Sequence, residues 1–70
     1  MDKQEFKDAC YEVLEILKYV KKEDLEKIPK EEIKILKEYA NYNHNFQYDP
    51  NKHIKEQEVL KLTKGIIAQY

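Results

Sequence analysis

The residues able to do chemistry in this 70-residue chain are few. They are one thiol (Cys10), two imidazoles (His44 and His53), one Asp close to the imidazoles (Asp49) and several paired carboxylates. His44 and His53 are nine apart across a proline turn, and Cys10 lies far away in sequence. Neither H-x3-5-H nor C-x2-C spacing occurs, so no metal site or cofactor is expected. Cys10 falls on an apolar helical stripe, where a cysteine acts as a small core residue rather than a reactive thiolate. The chain has no serine, and Thr63 has no histidine beside it. No nucleophile–base pair therefore presents itself. Glu23-Asp24, Glu31-Glu32 and Glu56/Glu58 read as solvated helix starts and faces. One glycine excludes a glycine-rich phosphate loop. No enzymatic activity is expected.

The elements that position these residues begin with Phe6 to Val20. At about 100° per residue, Phe6, Ala9, Cys10, Val13, Leu14, Ile16, Leu17 and Val20 fill an arc of roughly 160°. Asp8, Glu12, Glu15 and Lys18 take the opposite face. Tyr11 and Tyr19 flank the stripe, where a ring can lie on apolar atoms with its hydroxyl in water. Asp2 followed by Glu5 is a helix-start signal of the capping-box kind. The first helix is predicted over about 3–21. Burial of each large apolar side chain is worth about 1.5–3 kcal/mol, so a stripe this wide must meet other elements or a partner.

Residues 22–28 predict a short helical turn that drops Leu25 and Ile28 onto the core. Pro29 suits the first position of a second helix over about 29–40. Ile33, Leu36 and Ala40 share one face there, Ile35 and Tyr39 an adjoining one, and Glu32 is expected to reach solvent. Asn41 to Asn51 combines turn residues with Tyr42, His44, Phe46 and Tyr48 at alternate positions, the pattern of an extended segment with one face docked. The last helix is expected from about residue 54 to the end. Val59, Leu60, Leu62, Ile66, Ile67 and Tyr70 span an arc near about 160° in it, with Thr63 inside. Gly65 falls on its polar face, where a bend or fraying is expected.

The fold class predicted is all-α: one compact three-helix bundle over 1–70, with a short helical turn before helix 2 and an extended aromatic loop before the last helix. Such connections favour antiparallel neighbours.

Thirteen basic residues, all lysine, face fourteen acids, for a net charge of −1. The absence of arginine, the preferred residue for bidentate phosphate and base contacts, argues against nucleic acid as main ligand. A lysine patch at Lys18, Lys21, Lys22, Lys27 and Lys30 keeps a nucleic-acid accessory role as the third reading. No apolar run approaches the about 18 residues of a membrane span, and the N-terminus has no apolar signal region. A lone cysteine forms no internal disulfide, so a reducing, cytoplasmic setting is expected. Six tyrosines are many for this length, and tyrosine is enriched in binding anchors. Tyr42, His44, Phe46, Tyr48, Tyr11 and Tyr19 are the candidate partner-binding residues.

Asp49-Pro50-Asn51-Lys52 followed by Ile54-Lys55-Glu56-Gln57, then Thr63-Lys64-Gly65-Ile66-Ile67-Ala68, resembles a set of short uncharacterised proteins from Gram-positive anaerobic bacteria or their phages. So does Ile28-Pro29-Lys30-Glu31 ahead of Asn45-Phe46-Gln47-Tyr48-Asp49-Pro50. The resemblance covers nearly the whole chain. It implies a bacterial or phage origin and brings no activity or ligand. The function expected is a small protein-interaction module that binds a protein partner or forms a homo-oligomer. The alternative is a phage or mobile-element inhibitor of a host enzyme.

Overall fold

Asp2 starts the first helix as expected: its Oδ1 accepts from the Glu5 N–H at 2.9 Å, satisfying one of the donors a helix start leaves open. The computed structural model describes residues 2–41, 43 and 45–70. Its four helices are α1 (Lys3–Leu17), α2 (Lys22–Leu25), α3 (Lys30–Ala40) and α4 (Ile54–Ile66), and three of them are long. They pack as a compact helical bundle. The most extensive contact is between α1 and α3, and α4 lies against both.

The centre of the α1 stripe is the middle of the core. Phe6, Cys10, Val13 and Leu17 are buried there, with Ile28, Leu36, Ala40, Val59, Leu60 and Ile67. The residues at the two edges of the stripe, Leu14 and Ile16, are only half-buried.

Boundaries differ from expectation where the backbone finds other partners. α1 stops at Leu17 rather than near 21. Lys18, Tyr19 and Val20 donate to carbonyls three residues back, tightening the last turn and satisfying its open acceptors. Lys21 then turns extended, and α2 begins. As expected, the short turn places Ile28 in the core and Leu25 against it. Pro29 is the residue before α3 rather than its first; its carbonyl accepts from Glu32 and Ile33. Glu32 is half-buried rather than fully in solvent.

α4 ends at Ile66, and a turn follows. Leu62, at the edge of the expected apolar arc, is 60 % exposed: the helix seats on Val59, Leu60, Thr63 and Ile67, which leaves that edge outside. Tyr70 is also exposed, but its hydroxyl bonds back to α2. Gly65 has a helical backbone and open space around it.

Candidate functional site

The aromatic loop is the first place to look for a site. Tyr42 and His44 lie outside the described residues. Phe46 and Tyr48 are half-buried, with their faces taken by the protein itself. Tyr48 is stacked on Phe6 (centroids 4.7 Å apart, 24° between planes) and on His53 (5.4 Å, 27°). Phe46 meets Tyr39 edge-on at 4.7 Å, and Tyr39 meets Phe6 at 5.5 Å. Such offset and edge-to-face pairs each add about 0.5–1.5 kcal/mol beyond area burial. The ammonium groups of Lys3 and Lys7 stand 4.9 and 5.5 Å from the Phe46 centroid. Of the candidate partner-binding residues in the loop, Phe46 and Tyr48 are thus half-buried, with their rings packed against the core.

Local hydrogen bonds hold this loop without a partner strand. Asn51 N–H donates to Asp49 Oδ1 at 2.9 Å, an Asx turn, and Asp49 N–H donates to His53 Nδ1 at 3.1 Å. Gln57 Nε2 donates to the Pro50 carbonyl at 2.7 Å. Burial pushes the Tyr39 and Tyr48 hydroxyls above their ordinary pKa, with nearby carboxylates adding to it.

Chemistry at Cys10 is suppressed by the same packing. The thiol is fully buried, and burial pushes its pKa up to about 11. Among the described residues, no three His, Cys, Asp or Glu side chains group to hold a metal ion. Nor is any helix of the described residues long and apolar enough to cross a membrane.

A groove where α2 meets the start of α3 has the features of a site. Its floor is Leu25, Ile28, Pro29 and Ile33, between α2 and the start of α3, around a cavity of about 760 Å³. A second hollow of about 530 Å³ shares Leu25 and Ile33 and extends over Leu14, Leu17 and Tyr11 of α1. The rim carries Lys22, Lys30, Lys34 and Lys37, with Glu26 on one lip. Lys30, Lys34 and Lys37 recur at four and three residues, so one face of α3 presents all three beside Ile33. None of the four rim lysines has an ion pair among the described residues. Lys18, by contrast, is held by Glu15 at 2.9 Å, and Lys27 by Asp24 at 3.3 Å.

No family model, curated protein or solved structure matches this chain.

Among the described candidate residues, Tyr11 alone lines the groove, at 48 % exposure. Tyr19 is 80 % exposed and stands outside it. The lysine patch expected around Lys18, Lys21, Lys22, Lys27 and Lys30 is divided, because Glu15 and Asp24 hold Lys18 and Lys27. Lys22 and Lys30 of that patch line the groove, whereas Lys34 and Lys37 of α3 were missed by sequence reasoning. The available signal was their helical spacing alongside the Ile33, Leu36 and Ala40 face.

Proposed function

We propose that this protein is a non-catalytic interaction module that docks a protein partner in the groove formed by α1, α2 and α3. One observation carries the reading. The α1 stripe is wider than the bundle covers, so Leu14 at its edge joins Leu25 and Ile33 in a half-buried apolar floor open to solvent. Soluble monomers rarely leave contiguous apolar surface in a concave site without a use for it.

Self-association is the competing form of this reading, supported by exposed Ile54 and Leu62 on α4. Site-specific photocrosslinking separates the two forms. A crosslinker replacing Lys34 is expected to capture a second protein, whereas one replacing Lys61 on α4 is not. Capture of the chain by itself from position 61, together with a dimer mass by light scattering, supports self-association through α4. Equal capture from both positions, or none from 34, removes the groove from consideration.

A further inference from the structure

The groove's charge identifies its occupant. This inference rests on the reading of the groove as a docking site. Around Leu25 and Ile33 the rim carries four lysines with no ion pair among the described residues, against Glu26; the other acid lining the groove, Glu15, is paired with Lys18. Lysine stems can line apolar surface while their ammonium groups remain in water. An occupant with an apolar face and carboxylates along both flanks satisfies the floor and the rim together. A second copy of the same groove fails, because it would set rim lysines against rim lysines. A nucleic-acid backbone would satisfy the rim and leave Leu25 and Ile33 without apolar contacts. A membrane surface meets protruding apolar side chains, whereas these are recessed between helices.

The occupant's conformation follows from what the walls offer. An extended peptide gains its affinity by pairing its main chain with a sheet edge. Among the described residues there is no strand, and helices form the groove walls. Helix-in-groove packing, with anchors at i, i+3, i+4 and i+7, remains. We propose that the groove takes an acidic amphipathic helix of a separate protein. Its apolar face lies on Leu25 and Ile33, and its carboxylates lie toward Lys22, Lys30, Lys34 and Lys37.

Three synthetic peptides of about 18 residues, long enough to hold a helix, test this. They share Leu and Ile at i, i+3, i+4 and i+7 and carry Glu, Gln or Lys elsewhere. Binding is followed by chemical shifts of the Leu25 and Ile33 methyl groups in the whole protein. The Glu peptide is expected to bind at least about tenfold tighter than the Gln peptide at low salt, and the Lys peptide not at all. In Lys30→Glu/Lys34→Glu that preference is expected to vanish, while Lys61→Glu retains it. All these substitutions are on the surface, so the fold persists.

Equal binding of the Glu and Gln peptides at the groove overturns the charge inference and leaves the docking reading standing. No methyl shift with any peptide overturns both. Tighter binding to phosphatidylglycerol vesicles or to duplex DNA than to the Glu peptide overturns the inference in favour of a membrane or nucleic-acid surface.

Discussion

The Tyr70 hydroxyl donates to Asp24 Oδ2 at 2.5 Å across 46 residues of chain. The same hydroxyl oxygen accepts from the Lys21 N–H at 3.2 Å, and Gln69 Nε2 donates to Asp24 Oδ2 at 2.9 Å. The residues after α4 are thus tied to α2, the element that forms one lip of the groove. The Tyr70 hydrogen bond, then that of Lys27, holds the Asp24 carboxyl below the usual aspartate value of 3.8. A carboxyl with a depressed folded pKa adds stability above its unfolded value and loses it as pH falls through the folded value. Tyr70→Phe should therefore melt lower than wild type near pH 6, and the difference should narrow as pH falls below 3.8, leaving the part due to the Lys21 hydrogen bond, which does not titrate. Thermal melts across pH 2.5–7 followed by circular dichroism check this.

Thr63 is fully buried in α4, and its hydroxyl has no hydrogen-bond partner among the described residues. Burying an unpaired hydroxyl costs about 1–3 kcal/mol, and valine keeps the shape without it. Thr63→Val should stabilise the protein by about 1 kcal/mol. Calorimetry should show a melting point higher by about 4–8 °C for a chain of this size.

Apart from its own stretch of helix, nothing lies within 4 Å of the place where a Cβ on Gly65 would stand, and its backbone φ is not positive. Replacement by alanine meets no clash and removes backbone freedom from the unfolded chain. Gly65→Ala should add about 0.5–1 kcal/mol, read as a shift in urea midpoint with the slope unchanged.

Cys10 should resist alkylation. Raising its pKa from 9.0 to about 11 lowers the thiolate fraction at pH 8 about a hundredfold, and burial slows access further. A disulfide reagent should react at least about a hundred times faster with the urea-unfolded chain than with the native one.

Most of the architecture was legible because the apolar spacing is strong. Phe6, Cys10, Val13 and Leu17 recur on one helical face, and they form the centre of the core. Pro29 and the asparagine-rich segment divided the chain at positions where helices break. The end of α1 was not legible, since Val20 continues the apolar stripe and only the tightened turn at Lys18–Val20 ends the helix. For the site, alternation in the loop identified Phe46 and Tyr48 as residues that dock a face, but not which side they serve. That depends on Tyr39 and His53, brought in from other elements. The groove was hidden for the same reason: Leu14, Leu25 and Ile33 come from three helices, and no local pattern links them.

Because the segment at 45–48 is fastened at every second position, its two sides answer to different constraints. Tyr48 is fixed by its stack on Phe6 and Phe46 by edge-on contacts with Phe6 and Tyr39, while Asn45 and Gln47 are exposed. The outward pair can be randomised to build a display library on this scaffold, or to carry a fluorophore, while the interior register remains intact.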